Sequence, residues 1–387
     1  MEKEITKGVK LMLKIGVVVH GPSIIDSGYA VKIIELLEKY GNITCRLGGT
    51  MGRTAVIDAN LEDIINIRDK LLPSRSIELL QEDNDIIFLL NSGKSTITGH
   101  TFGYKVVSNL NCDVNLIQIE RPDKKDGTII KWGDVDVQLA DEISRQLNLP
   151  VIDSSDVKNQ VKNKTGYERK NNIIRRKIAG VSSGENVMLN GVIVAKATDN
   201  NLTIIAEDNR ITGMEGGVIK QHGLEKLGEV DLESAVVKTG LLRKKSNINL
   251  RILEHKQNKQ LKVAFLDHAA VDIFNYRDVD LLVCVGDDTT LLSSDILYRF
   301  SIPVIGITDG DLDKVVLEGF KHEKSIIIQL QPGFDDIIGK IIHKQIFKNK
   351  DIIQTDNLSD IKDDIINIIR NQGVDYKFVN KQLEIIK

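Results

Sequence analysis

The chain has 387 residues, long enough for two or three domains with sizeable buried cores. Its 41% hydrophobic and 28% charged residues are ordinary for a globular protein, and its net charge of −3 gives no general attraction to nucleic acid or to an anionic membrane. Aromatic residues make up only 4%, too few to predict the stacking surfaces that bind single-stranded nucleic acid.

The cysteines and the N-terminus predict a cytoplasmic protein. Cys45, Cys112 and Cys284 have spacings that fit neither a zinc site nor a CxxC redox pair, and so sparse a count favours a reducing compartment. No apolar run approaches the length of a membrane span, and residues 1–11 are charged rather than signal-like. Either Met1 or Met12 could start translation.

Residues 12–153 alternate between apolar strand-like runs and helical patterns. Continuous apolar runs predict strands at 13–19, 42–47, 85–90 and 115–120, and apolar residues at helical spacing predict helices at 29–40, within 61–72 and at 135–147. Such alternation is typical of a parallel, doubly wound sheet. We therefore predict a Rossmann-like α/β domain over residues 12–153.

Three loops of this domain follow predicted strands and are rich in glycine and hydroxyl residues: HGPSIIDSG (20–28), LGGTMGRTA (47–55) and NSGKSTITG (91–99). One phosphate- or carboxylate-bearing ligand could bridge them. The candidate ligand-binding residues are His20, Ser23, Gly49, Thr50, Arg53, Ser92, Lys94 and Ser95. The third loop contains GKST, but Phe88 stands where a P-loop needs its first glycine. The alternative is that all three are ordinary βα turns.

Residues 154–177 are predicted to be a basic linker. Between positions 158 and 177 the chain carries eight Lys or Arg residues against one acid, Glu168. A solvated, mobile connection explains this pattern, and the alternative is an arm that binds phosphate, RNA or an acidic partner.

The rest of the chain predicts a small β domain and a second α/β domain. Short strand-like runs separated by turn residues predict an antiparallel β domain over 178–240, with a short helix within 218–228. Over 248–387, strands are predicted at 262–267, 279–286, 302–308 and 325–330, and helices at 268–276, 289–300, 334–347 and within 359–371. The predicted fold class is α/β, with two parallel-sheet Rossmann-like units and a small antiparallel β segment between them.

Two acidic loops follow consecutive predicted strands of the second α/β domain: VGDDTT (285–290) and TDGDLD (308–313). Because consecutive parallel strands usually lie side by side and end at the same sheet edge, the aspartates are expected to converge. Oxygen-only clusters suit Mg²⁺. The predicted metal ligands are Asp287, Asp288, Asp309 and Asp311, and the predicted phosphate-binding residues are Gly286, Thr289, Thr290 and Gly310.

Each acidic loop also has a plain structural interpretation. Asp and Thr are common helix N-terminal residues, so VGDDTT could be only a cap, and TDGDLD could be an exposed turn. Asp287 is also a candidate catalytic residue. Asp267 and His268 follow another predicted strand and could form an acid–base pair.

The segment DLLVCVGDDTTLLSSDILYRFSIPVIGITDG (280–310) resembles the core of the NAD kinase and diacylglycerol kinase superfamily. In that superfamily a strand leads into a Gly-Gly-Asp-Gly-Thr loop, a helix and a strand of the type P-V-L-G-I-N-x-G. The matching residues are Gly286, Asp287, Thr289, Pro303, Gly306, Ile307 and Gly310. Val285 and Asp288 depart from two glycines of the loop, and the β-rich segment precedes the motif instead of following it. The resemblance implies a nucleotide site in which an acid at position 288 opposes phosphate unless a metal intervenes.

Over nearly its whole length the chain also resembles an uncharacterised protein family of methane-producing archaea. The matching segments are HGPSIIDSG, GENVMLNGVIVAKAT, IKQHGLEKLGEVDL, VGDDTT and ITDGD. This resemblance implies a cytoplasmic archaeal protein and supplies no activity.

These observations support one leading hypothesis and two alternatives. The leading hypothesis is Mg²⁺-assisted binding or phosphoryl-type chemistry on a nucleotide or another phosphorylated cofactor. The first alternative is a non-catalytic ligand-binding or assembly protein of methanogen metabolism, acting as a homo-oligomer or with a protein partner. The second is an RNA-associated protein that binds through its basic linker.

Overall fold

The structure is a computed structural model that describes residues 12–164, 166–178, 180–240, 243, 249–256, 258–267, 273–310 and 320–379. The chain divides into two compact units, Met1–Asn249 and Leu250–Lys387. No helix within these described ranges is long and apolar enough to cross a membrane.

The first unit begins with a six-stranded sheet flanked by helices. Its strands are β1 (Leu13–His20), β2 (Gly41–Gly48), β3 (Ile86–Asn91), β4 (Leu116–Glu120), β5 (Thr128–Trp132) and β6 (Val151–Asp153). Its helices are α1 (Ser23–Asp26), α2 (Tyr29–Leu37), α3 (Arg53–Asp58), α4 (Pro73–Gln81), α5 (Thr96–Ser108), α6 (Val137–Leu147) and α7 (Ser154–Lys164). The strand order is β2-β1-β3-β4-β5-β6, and every neighbouring pair is parallel except β4 with β5.

Apolar cores cover both faces of this sheet, which is why its strands are continuous apolar runs. One core packs the sheet against α2, α3 and α6, and the other against α4, α5 and α7. Strand β1 lies between β2 and β3, so the chain moves to one side of β1 and then to the other. In parallel sheets, the crevice beside such a strand is the usual place for a ligand.

The predicted helix within residues 61–72 is wrong. Residues 61–72 form turns, and Asn66 makes a bridge with Arg46. The helix begins instead at Pro73, because proline is well tolerated in the first turn and its ring fixes a helical φ. Ile65 is buried in the core from within a turn, which explains an apolar residue at helical spacing where no helix forms.

The basic segment is not a linker. Residues 154–164 form α7, and the following residues form two paired strands, β7 (Tyr167–Lys170) and β8 (Ile173–Ile178). Val157 and Val161 bury the apolar side of α7 against the first sheet, and Ile174 enters the core of the next domain. Of the segment's described positive side chains, Lys158, Arg169, Lys170 and Lys177 are exposed on these elements, and Arg175 and Arg176 are half-buried.

The antiparallel β domain has two four-stranded sheets. The further strands are β9 (Asn186–Leu189), β10 (Val192–Ala197), β11 (Leu202–Glu207), β12 (Arg210–Glu215), β13 (Gly217–Ile219) and β14 (Val237–Thr239), and the predicted short helix is α8 (Gln221–Leu227). The sheet orders are β13-β10-β9-β14 and β12-β11-β8-β7. Residues from both sheets share one apolar core. The predicted antiparallel segment is therefore confirmed.

The second unit contains a second six-stranded sheet. Its strands are β15 (Leu261–Leu266), β16 (Leu281–Val285), β17 (Val304–Thr308), β18 (Ile326–Leu330), β19 (Ile352–Thr355) and β20 (Tyr376–Phe378), and its helices are α9 (Asp287–Leu297), α10 (Asp335–Gln345) and α11 (Leu358–Asn371). The order is β19-β15-β16-β17-β18-β20, with four central parallel strands and an antiparallel strand at each edge.

The helices of the second unit cover opposite faces of its sheet. Helix α9 packs on one face, and α10 and α11 pack on the other. Of the helix predicted over 268–276, the described part is a 3-10 turn at Ile273–Tyr276, and residues 268–272 lie outside the described residues. A second 3-10 turn, Tyr298–Phe300, follows α9. At the level of a mixed α/β protein with two parallel-containing sheets, the predicted fold class is confirmed.

Candidate functional site

Four aspartates gather at the carboxyl edge of the second sheet. Asp287 and Asp288 follow β16, Asp309 follows β17, and Asp335 begins α10 after β18. Because β16, β17 and β18 are adjacent parallel strands, their following loops meet at one edge. We call Asp287, Asp288, Asp309 and Asp335 the acidic edge.

Asp287 is the most buried and most perturbed member of the acidic edge. It is only 7% exposed and hydrogen-bonds to Asp309. Burial, followed by the neighbouring charges of Asp309, Asp335 and Asp288, raises the pKa of Asp287 to about 8. The carboxyl is therefore largely protonated at neutral pH. Its Oδ1 is buried and has no hydrogen-bond partner among the described residues.

Asp309 is held at the edge by the backbone. It is 8% exposed, and its Oδ2 accepts a hydrogen bond of 2.8 Å from the N–H of Gly333, in the loop after β18. Gly310 follows in the left-handed region, with φ +79°, and a Cβ there would lie 1.8 Å from Nε2 of Gln329. Because φ is positive at this position, a side chain at residue 310 would strain the backbone.

The structure brings together three of the four predicted metal ligands, Asp287, Asp288 and Asp309, and Asp311 lies outside the described residues. Sequence reasoning missed Asp335. The signal for it was present, because 325–330 was predicted as a third consecutive strand and an acid follows it at the start of a predicted helix.

No group of three or more His, Cys, Asp or Glu side chains in the described ranges is arranged to hold a metal ion. The acidic edge is therefore not a closed cage of protein ligands. Mg²⁺ sites on phosphate-binding proteins commonly use one or two carboxylates together with the phosphates of the ligand. The buried oxygen of Asp287 beside Asp309 fits that smaller donor set.

The two threonines of the VGDDTT loop have different positions. Thr290 is fully buried, with its hydroxyl 3.4 Å from Sγ of Cys284, and it packs against Gly306 of β17. It belongs to the core rather than to a surface that a ligand could reach. Thr289 is also buried, and its hydroxyl lies near Gly286, where the strand turns into α9.

The predicted acid–base pair is only partly described. Asp267 is exposed directly after β15, and His268 lies outside the described residues. Their shared role stays a prediction.

The carboxyl edge of the first sheet carries a different polar row. His20, Asn91 and Glu120 end β1, β3 and β4 and lie in register. Nδ1 of His20 is 2.8 Å from Oδ1 of Asn91, and Nδ2 of Asn91 donates to Glu120 at 2.8 Å. We call these three residues the histidine edge.

Glu120 is fully buried at the centre of a hydrogen-bond network. It accepts hydrogen bonds from the Gly93 N–H at 2.7 Å and from Nε2 of Gln118 at 2.9 Å, and Gln118 accepts from the Trp132 indole N–H at 3.0 Å. Burial raises the pKa of Glu120, although its N–H donors oppose this.

Helix α5 can lie over this network because it carries glycines at two successive turns. A Cβ at Gly99 would lie 2.1 Å from Cδ of Glu120, and a Cβ at Gly103 would lie 1.8 Å from Oε1 of Gln118. Asn91, Gln118 and Glu120 were missed from sequence. The available signal was that polar residues interrupt apolar strands at the ends that carry the loops.

Of the predicted ligand residues of the first unit, Gly49 lies near His20. A Cβ at Gly49 would lie 3.9 Å from the His20 ring, Ser23 and Thr50 are exposed, and Arg53 is buried. The loop after β3 is occupied with internal contacts: Ser92 donates to Asp123, Ser95 caps α5 through Thr98, and Lys94 bonds to Glu185 and Thr239.

A family described as "Uncharacterized protein conserved in archaea (DUF2117)" matches residues 17–350, which include both edges. The chain belongs to this family. It is also 43% identical over 357 residues to "Uncharacterized protein MJ0065" of Methanocaldococcus jannaschii, and the match covers 90% of this chain and 96% of that protein. The resemblance to an archaeal family noted from the sequence is confirmed, and the acidic and histidine edges are thus parts of a family domain.

Proposed function

We propose that the acidic edge binds the Mg²⁺ complex of a nucleotide or of another phosphorylated small molecule. The observation that carries the proposal is the Asp287 carboxyl, which is buried beside Asp309 with one oxygen lacking a partner among the described residues. Burying a carboxyl in this way costs free energy unless a proton or a cation neutralises it. A site that tolerates this cost is a candidate for function.

The residues around Asp287 favour a cation that is already bound to the phosphates of the ligand. Asp287 and Asp309 supply two carboxylates, which is a common protein contribution to a Mg²⁺–phosphate complex. Phosphate alone would be repelled by the acidic edge, whereas a bound cation reverses that repulsion. The N-terminus of α9 offers N–H groups at the same edge.

The fold and the local resemblance support the same ligand class. Both parallel sheets are taken as Rossmann-like units, in which ligands bind beyond the carboxyl ends of the strands. The resemblance of residues 280–310 to the NAD kinase and diacylglycerol kinase superfamily points to a nucleotide. When bound, the cation would supply charge neutralisation for phosphoryl-type chemistry. Asp287 and Asp309 would hold and orient it.

Three arginines of the basic segment, on which the RNA alternative depends, have partners within the protein. Arg176 donates to the carbonyls of Leu232 and Ala235, Arg175 pairs with Glu215, and Arg169 pairs with Glu233. These arginines serve the β domain, so the segment offers less free positive charge than its composition indicates. The other alternative is a non-catalytic ligand-binding or assembly protein, which would carry out no phosphoryl-type chemistry and would act as a homo-oligomer or with a protein partner.

Thermal unfolding with defined probes tests the proposal. Tm is measured with ATP or NAD⁺ alone, with Mg²⁺ alone, and with each nucleotide together with Mg²⁺. We expect the nucleotide and Mg²⁺ together to raise Tm more than either alone. The double variant Asp287→Asn with Asp309→Asn should abolish that gain, and Asp364→Asn, an exposed aspartate on α11, is the matched control. The absence of any nucleotide effect, or an equal effect in the double variant, would contradict the proposal.

A further inference from the structure

We propose that the histidine edge is a second ligand site, independent of the acidic edge, in which Nε2 of His20 accepts a hydrogen bond from a hydroxyl or N–H group of a small anionic molecule. Strand β1, which ends at His20, lies at the point where the strand order reverses. The proposal rests on the direction of the hydrogen bonds in the network and on the charge beside the ring.

The network fixes which nitrogen of His20 carries the proton. The Trp132 indole is only a donor, so Gln118 accepts through Oε1 and must present its Nε2 to Glu120. The Gly93 N–H is also only a donor. Glu120 therefore receives hydrogen bonds on both oxygens, and Asn91 donates its Nδ2 as a third donor. The remaining Oδ1 of Asn91 accepts from the His20 Nδ1–H.

This arrangement leaves Nε2 of His20 as the acceptor. Nε2 makes no hydrogen bond to any described residue, and the ring is only partly buried. Stacking on Phe102, with ring centroids 3.9 Å apart, fixes the plane of the imidazole. Burial, together with the nearby charge of Lys238, lowers the pKa of His20 to about 4, so the ring stays neutral at physiological pH. A neutral ring with Nδ1 committed is a positioned acceptor.

The positive charge of Lys238 near the His20 ring indicates that the ligand also carries an anionic group. Lys238 lies on β14, and the adjacent Thr239 contacts Nζ of Lys94, which brings this strand to the loop after β3. Lys94 is itself paired with Glu185, whereas Lys238 is exposed and forms no ion pair with the described residues, so it can meet an anion. In the loop after β4, Arg121 bonds to the Gly93 carbonyl and to Asp126, and Asp123 pairs with Lys124. A hydroxyl compound with a phosphate or carboxylate group fits these contacts.

The tautomer is tested by two-bond ¹H–¹⁵N correlation on ¹⁵N-histidine-labelled protein, with His20→Gln used for assignment. We expect the Nδ1–H tautomer of His20 to persist from pH 8 to about pH 5, where an imidazole with the ordinary pKa of ~6.5 is almost fully protonated. An Nε2–H tautomer, or a His20 that titrates near 6.5, would overturn the proposal.

The ligand class is tested by diethyl pyrocarbonate, which modifies neutral, accessible imidazoles, with peptide mass spectrometry as the readout. At pH about 5, His20 should still react, because its pKa of about 4 leaves the ring largely neutral there. Glycerol 3-phosphate and lactate are the anionic probes, and glycerol is the neutral one. At ten times its Kd, an anionic probe should slow the reaction of His20 about tenfold.

Lysine variants complete this test. Lys238→Met should remove the protection by the anionic probe, whereas Lys196→Met, an exposed lysine on β10, should leave it unchanged. Protection by only one anionic probe identifies the phosphate or the carboxylate as the preferred group. Protection by neither anionic probe, equal protection by glycerol, or protection that survives Lys238→Met would overturn the proposal.

Discussion

Each six-stranded sheet has a buried carboxyl group at the carboxyl edge of its strands, and the neighbours of the two groups act on the pKa in opposite directions. Glu120, at the histidine edge, receives N–H donors from Gly93, Asn91 and Gln118, and each of them lowers its pKa against the effect of burial. Asp287, at the acidic edge, has carboxyl neighbours, and all of them raise its pKa further. The first edge is a completed hydrogen-bond framework. At the second edge the carboxyl groups repel one another. We call this repulsion the electrostatic imbalance of the acidic edge; a proton relieves it, and a bound cation could also relieve it.

Removing the carboxyl from the completed framework should have the largest effect. Glu120→Ala leaves buried N–H groups of Gly93, Asn91 and Gln118 without an acceptor, so we expect the free energy of unfolding to fall by about 3–5 kcal/mol. Urea unfolding measures this loss. Glu35→Ala, an exposed glutamate on α2, should change stability by less than about 0.5 kcal/mol. A loss below about 1 kcal/mol for Glu120→Ala would mean that the network is not a framework.

Crowding the same framework should have the next largest effect. Gly→Ala within a helix ordinarily stabilises by about 1 kcal/mol. At Gly99 the new Cβ would lie 2.1 Å from Cδ of Glu120, so we expect Gly99→Ala to destabilise by about 2–3 kcal/mol instead. Gly166→Ala, where nothing lies within 4 Å of the added Cβ, is the control. A stabilised Gly99→Ala variant would show that α5 can move away from Glu120 at little cost.

The imbalance at the acidic edge should appear as a dependence of stability on pH. The folded pKa of Asp287, about 8, lies above its ordinary value of 3.8, so the folded state binds the proton more tightly. The resulting stabilisation is full below pH about 4 and is lost as pH rises through 8. Asp287→Asn keeps a neutral side chain of the same shape, so it should be more stable than the wild type by about 1–3 kcal/mol at pH 9.

Urea unfolding at pH 5 and pH 9 measures this difference in the absence of divalent cations. Asp364→Asn, which changes an exposed carboxyl, should keep the wild-type dependence on pH. If the wild type and Asp287→Asn lost equal stability between these two pH values, the Asp287 carboxyl would not be the source of the imbalance.

Sequence reasoning reached the acidic edge more completely than the histidine edge, for a physical reason. Asp287 and Asp309 follow consecutive strands, and consecutive parallel strands end together, so their convergence is readable from local patterns. The three donors to Glu120 come from two strands and a loop, and the orientation of one of them, the Gln118 side chain, depends on Trp132. No local pattern in the sequence encodes that chain of contacts.

Long-range pairing also explains the error in the basic segment. Arg175 pairs with Glu215 and Arg169 pairs with Glu233, acids that lie far along the chain. Within residues 158–177 alone, the positive residues have almost no compensation and look like a solvated linker. Charge patterning describes a segment correctly only when its counter-charges are local.

The smallest expected effect concerns Asp288, the residue at which the chain departs from the kinase superfamily motif. Asp287 and Asp288 are neighbours at the start of α9, and adjacent helical residues do not face each other. Asp309, in contrast, is hydrogen-bonded to Asp287. In the same comparison of pH 5 with pH 9, Asp309→Asn should therefore reduce the loss of stability clearly, whereas Asp288→Asn should change it by only about 0.2–0.5 kcal/mol. If the two variants lost stability equally, the acidic edge would be a diffuse cluster of like charges rather than a carboxyl pair. The acidic and histidine edges would then differ in net charge and not in hydrogen-bond geometry.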